Sequence, residues 1–255
     1  MSIKITEYIV FLSSKVNTGK TSLSVNVASL LAKKGYLVAL IDLNFHNPSM
    51  YNYFSSEGIE SKVSLNDYIL GSENPNLIVE LTPVIERYSL DMKTGGDLFC
   101  IFARAEDEKM TKMEQSGSNK LALVKRLIRL ISCDIFDREF TVNRNREYLG
   151  NPDFVILDLD INSIFWFTNG LSLIDTVFTI DPSGILATPD ETHYFQVLDV
   201  FESHGKKIES LPPIPFYKDL YQNEFLTVLR YPHHEYSKYV SSITSQALEN
   251  KIAYR

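Results

Sequence analysis

Residues 14–22, Ser14-Lys15-Val16-Asn17-Thr18-Gly19-Lys20-Thr21-Ser22, hold the side chains and turn former that phosphate chemistry needs. A lysine ammonium can reach phosphate oxygens, and a threonine hydroxyl can ligate Mg2+. Backbone N–H groups of a tight loop at a helix start can wrap the anion. Asp158 ends the apolar run 154–157 and is expected to join Thr21 in holding Mg2+. Asp160, two residues on, could share that role. Asp42 ends a second apolar run, 36–41. Together these groups point to binding of a nucleoside triphosphate with Mg2+.

Such groups work only if the chain brings them together. Residues 7–12 are short and apolar, as in a buried strand. From Gly19 the pattern turns helical, with Leu23, Val27, Leu30 and Leu31 on one face. Lys33-Lys34-Gly35 closes that helix with cations and a glycine stop, and a second strand follows over 36–41. Strand, helix and strand at this spacing make a βαβ unit and hence a parallel sheet. Further strands are expected at 98–103, 154–158 and 177–182. Helices are expected at 65–71, 121–131, 190–204 and from about 236. Residues 72–97 read as turn-rich and 104–119 as a polar loop. The fold class is therefore α/β, a doubly wound, mostly parallel central sheet flanked by helices, with 1–255 as one domain. In such a sheet, strand ends converge on one crevice, so the loop at 14–21, residues 42–44 and Asp158 are expected to share a pocket.

The bulk composition narrows the partners. The 255 residues are 44% hydrophobic and 22% charged, ordinary for a soluble globular protein. A net charge of −7 argues against a broad nucleic-acid surface, although Lys125, Arg126 and Arg129 could make a local basic patch. Two cysteines, Cys100 and Cys133, suggest core thiols in a reducing cytosol. No leader pattern is evident and no apolar run nears the roughly 20 residues of a membrane span, so a cytoplasmic location is expected. The five histidines lack metal-ligand spacing. Val240, Ile243, Ala247 and Leu248 form a modest stripe, better suited to a docked helix than to a membrane anchor.

Residues 14–22 resemble the deviant Walker A loop of the ParA/MinD family of dimeric P-loop ATPases. Residues 39–44 resemble its switch I segment, and 153–158 its Walker B strand. The likeness runs in order and spacing through most of 7–182 and fades after about 205. It implies ATP and Mg2+ as cofactors, with residues 14–22 binding the nucleotide. It implies a homodimer in the ATP state and a cargo or adaptor protein as partner, with DNA contact possible and peripheral membrane contact less so. It also implies roles in catalysis for Lys15, Asp42 and Asn44, with Lys15 reaching the phosphates of the partner protomer.

The departures matter equally. The family's loop glycines are Val16 and Asn17 here, and side chains there crowd a phosphate or oppose a positive φ. Asn44 stands where the family has an aspartate that positions or deprotonates the attacking water. An amide cannot take a proton, and losing a general base typically costs about 10²–10⁴ in rate. Slow hydrolysis is therefore expected. Residues 201–215 leave little room for the family's last strand, whose end reads adenine. These losses keep a second function open, a nucleotide-independent scaffold with a degenerate loop.

Overall fold

A computed structural model describes residues 6–14, 18–55, 57–71, 77–89, 96–104, 107–115, 120–132, 151–164, 168–180, 189–212, 214, 217 and 226–253. The apolar runs become strands of one seven-stranded sheet. In chain order they are β1 Glu7–Ser13, β2 Leu37–Leu43, β3 Val79–Glu80, β4 Asp97–Ile101, β5 Phe154–Leu159, β6 Thr176–Ile180 and β7 Lys207–Leu211. Their spatial order is β3-β4-β2-β5-β1-β6-β7. All pairings are parallel except β3 with β4. The helices are α1 Lys20–Lys33, α2 Met50–Ser55, α3 Leu65–Ile69, α4 Thr82–Tyr88, α5 Asp107–Glu114, α6 Lys120–Ile131, α7 Pro189–Ser203, α8 Thr227–Arg230 and α9 Glu235–Ala253.

Strand side chains alternate between two cores, one on each face of the sheet. Ile9 and Phe11 of β1 point into the layer built by α1, α2, α4, α8 and α9, where Leu23, Val84 and Ile243 are buried. Val10 and Leu12 point into the layer of α3, α6 and α7, with Leu65, Leu127 and Phe201. This is the doubly wound arrangement that the sequence predicts. At α3 the Ser64 hydroxyl accepts the Asp67 N–H while the Asp67 carboxylate accepts the Ser64 N–H, a reciprocal cap. Ser64→Ala should cost about 1 kcal/mol, read as a lowered denaturation midpoint.

Three expectations need correction. Residues 201–215 do hold a strand, since β7 pairs parallel with β6. It lies at the sheet edge, where one side needs no partner, so Lys207 and Glu209 replace an apolar pattern. The polar stretch 104–119 contains α5, which is anchored by buried Met113 and by an ion pair of 2.6 Å between Lys109 and Asp67. The turn-rich 72–97 holds β3 and α4, the latter started by Thr82-Pro83 and fixed by buried Val84 and Ile85. Asp42 and Asp158 lie at the C-terminal ends of β2 and β5, each followed by one further strand residue. The strand predicted at 177–182 runs over Thr176–Ile180, and positions 181–182 lie outside the described residues. Cys100 is a buried core thiol, as expected, whereas Cys133 lies outside the described residues. Helix α9 is docked, burying Val240, Ile243 and Ala247 against the layer that contains α1. Among the described residues no helix is long and apolar enough to cross a membrane.

Candidate functional site

The C-terminal ends of β1, β2 and β5 meet beside the start of α1. Gly19 caps α1 with φ of 83°, a left-handed conformation that glycine adopts without strain. A Cβ on Gly19 would also stand 3.2 Å from Ile214 Cδ1, in the segment after β7. This turn aims the first residues of α1 at the crevice. Lys20, nearly buried, donates from Nζ to the Leu159 carbonyl at 2.7 Å. The Thr21 hydroxyl donates to Asp158 Oδ2 at 2.6 Å and accepts from Ser49 Oγ at 3.4 Å.

Asp42 and Asp158 are paired in register on neighbouring strands and are fully buried. Burial pushes the Asp42 carboxyl well above its ordinary range, and the adjacent Asp158 charge adds to the shift. Burial also raises Asp158, while Lys20 and Thr21 pull it down and Asp160 pushes it up. Asp42 Oδ2 and Asp158 Oδ1 are buried without a hydrogen-bond partner. Two buried, unsatisfied carboxylate oxygens beside a threonine hydroxyl are an expensive arrangement. A divalent cation, hard and oxygen-seeking, would satisfy it, so the residues fit Mg2+. Thr21 and Asp158 could hold such an ion, with Asp42 next to them.

Above this floor lies a cleft of about 100 Å³, lined by the turn and first residues of α1 (18–22) together with Asn44, Asn47, Ser49, Tyr53 and Asp160. Residues 18–21 and Asn44 thus line one cleft, with Asp158 bonded to Thr21. Ser14 is buried at the end of β1. Lys15, Val16 and Asn17 lie outside the described residues. Asn44 lines the cleft, but its side-chain oxygen accepts the Asn47 N–H at 3.0 Å and so also shapes the turn. Its own N–H donates to Asp42 Oδ1 at 3.0 Å. Sequence reasoning missed Ser49 and Tyr53. Their i, i+4 spacing at the start of α2, facing Thr21 and Ser22, is the signal that could have found them.

A lysine, a threonine–aspartate pair and a cation-ready carboxylate floor at strand ends can bind a metal-complexed polyphosphate. Comparison with known proteins agrees: residues 9–132 match the CobQ/CobB/MinD/ParA nucleotide binding domain. Residues 9–132, just under half of the chain, are thus similar to nucleotide-binding domains of this kind. Among solved structures, a cobyrinic acid a,c-diamide synthase from Mycobacterium smegmatis, with bound ATP analog and magnesium, is 16% identical. The match covers 98% of each chain, with a TM-score of 0.61. The septum site-determining protein MinD from Pyrococcus horikoshii, complexed with Mg-ADP, is 13% identical over 95% of this chain and 96% of its own, with a TM-score of 0.60. A ParA family ATPase from Chlorobium tepidum is 16% identical over 96% and 99%, with a TM-score of 0.55. No curated protein sequence matches the chain. At such identities the structural likenesses establish the fold. That fold is the seven-stranded, mostly parallel sheet with flanking helices, the α/β class that the sequence predicts.

Proposed function

We propose that residues 1–255 act as one ParA/MinD-like domain that binds ATP with Mg2+, dimerises in that state and then engages a cargo or adaptor. The observation that carries this reading is the Thr21–Asp158 pair beside unsatisfied carboxylate oxygens, with Lys20 at the same cleft. Lys20 and the N–H groups of residues 18–22 hold the phosphates. Thr21 and Asp158 hold Mg2+, which when bound neutralises phosphate charge. Asp42 and Asn44 form the segment that responds to the ligand, and Lys15 reaches the other protomer's nucleotide. The segment after β7, which brings Ile214 against Gly19, supplies an apolar wall for the base. Titration calorimetry with ATP, with and without Mg2+, tests the reading. Binding should be Mg2+-enhanced in the wild type and lost in Lys20→Ala. Sedimentation with a slowly hydrolysed ATP analogue should show a dimer.

Hydrolysis is slow in this reading, because Asn44 cannot accept a proton and its oxygen serves the turn to Asn47. Asn44→Asp should raise turnover, measured as phosphate release, while binding stays intact. Pelleting with DNA and with liposomes, each with and without ATP, would identify the platform. A salt-sensitive, ATP-dependent shift with DNA would favour partition. The alternative, a nucleotide-independent scaffold, draws on that same structural use of Asn44. It predicts no heat of ATP binding in the wild type.

A further inference from the structure

Ser22 lies in the first turn of α1, directly after Thr21, and lines the cleft. Two tyrosines meet at its hydroxyl. Tyr53 of α2 also lines the cleft and hydrogen-bonds to Ser22. Tyr236 of α9 is buried, with its hydroxyl 3.0 Å from Ser22 Oγ. We propose that Ser22 relays occupancy of the cleft to the C-terminal helix α9, through Tyr53 on one side and Tyr236 on the other. This rests on the nucleotide-binding reading of the cleft.

The chemistry of the junction supports a relay. A serine hydroxyl donates once and accepts twice, so one oxygen can serve both phenols. Linked hydrogen bonds polarise one another, and loss of one partner is felt by the other. Tyr53 is the member exposed to ligand. It faces the Asp158 charge, which a cation on Thr21 and Asp158 would neutralise. Phosphates held by the first turn of α1 would approach Ser22 itself. A change at the cleft therefore acts directly on the Tyr53–Ser22 bond.

The receiving end is tied to the cleft at Ser22 and to the segment after β7. One turn along α1, the Asn26 amide donates to the Ser22 carbonyl at 2.8 Å, and its oxygen accepts the Val228 N–H at 3.0 Å, tying α8 to the same stripe. Tyr239, three residues beyond Tyr236, donates its hydroxyl to the Pro212 carbonyl at 2.8 Å. Pro212 leads to Ile214, which packs at Gly19. The first turn of α9 thus holds the phosphate loop through Tyr236 and the segment after β7 through Tyr239. A shift at Tyr236 would alter the grip on that segment and the surface that α9 offers to a partner.

Hydrogen–deuterium exchange on the full chain, with and without a slowly hydrolysed ATP analogue and Mg2+, tests the relay. In the wild type, amides of 50–55 and of 235–240 should change together. One neutral hydrogen bond gained or lost corresponds to about a fivefold change in local opening. Tyr236→Phe should bind nucleotide as the wild type does and keep the change at 50–55, but lose it at 235–240. Tyr53→Phe should lose the change at 235–240 as well, and Ser22→Ala should reproduce that loss from the centre. Bound nucleotide with no change at 235–240 in the wild type overturns the relay and leaves the binding reading standing. So does a Tyr236→Phe protein that keeps the response at 235–240. Absence of nucleotide binding in the wild type overturns both.

Discussion

Asp158→Asn should weaken Mg2+-dependent ATP binding by about 10–100-fold, leave Mg2+-free binding nearly unchanged, and raise the melting temperature of the ligand-free protein. The three outcomes share one cause. Asp158 is fully buried, lies in register with the equally buried Asp42, and leaves Oδ1 unsatisfied. Lys20 pulls its carboxyl down, yet burial wins and the net direction is upward. The folded, empty site therefore holds this charge at a cost, and asparagine removes the charge while keeping an oxygen for the Thr21 hydroxyl. With Mg2+ the sign reverses, because the ion needs the charge that the fold tolerates poorly. Calorimetry with and without Mg2+, beside thermal melts of the empty protein, separates the effects. A variant that melts lower than the wild type while binding Mg2+–ATP normally would show Asp158 to be structural.

The parts of this site that were legible in the sequence have dense local signals. Residues 7–12 and 36–41 are buried on both sheet faces, so they read as unbroken apolar runs, and the helix between them carries its own stop in Lys34-Gly35. The meeting of residues 18–21 with Asn44 and Asp158 follows from strand topology. What was illegible depends on partners far along the chain. β7 is polar because it is an edge strand, and its pairing with β6 is visible only in three dimensions. α5 has the charges of a loop and is made a helix by Met113 and by Lys109 reaching Asp67. Ser22 and Tyr236 are 214 residues apart, and no local pattern marks serine as their junction. Asp42 could be read as a strand-end acid, but the cost of burying it against Asp158 could not.

A second cluster, at the opposite end of the sheet, should make stability fall as pH rises from 4.5 to about 7. Glu7 opens β1, is buried, and accepts the Thr176 hydroxyl at 3.2 Å. Burial first, and then the Asp175 charge, push its carboxyl from 4.5 to about 7, against the opposing pull of Thr176, Lys251 and Lys207. Asp175 is itself raised by burial. The unfolded chain releases the Glu7 proton near 4.5, while the folded chain keeps it to about 7. In that window the folded state binds more protons, so its stability declines with rising pH and the decline ends above about 7. Glu7→Gln mimics the protonated carboxyl and keeps an acceptor for Thr176. Melting temperatures across this range should therefore slope less in Glu7→Gln than in the wild type, and the variant should melt higher at pH 8. The raised Asp42 and Asp158 slope the same way in both proteins, so the difference between them isolates Glu7. Equal slopes, or a Glu7→Gln protein that melts lower at pH 8, would mean that Lys207 and Lys251 already compensate the charge. Lys251, which reaches the Asp153 carbonyl from the end of α9, would then serve as the counterion of β1 as well as an anchor of the last helix.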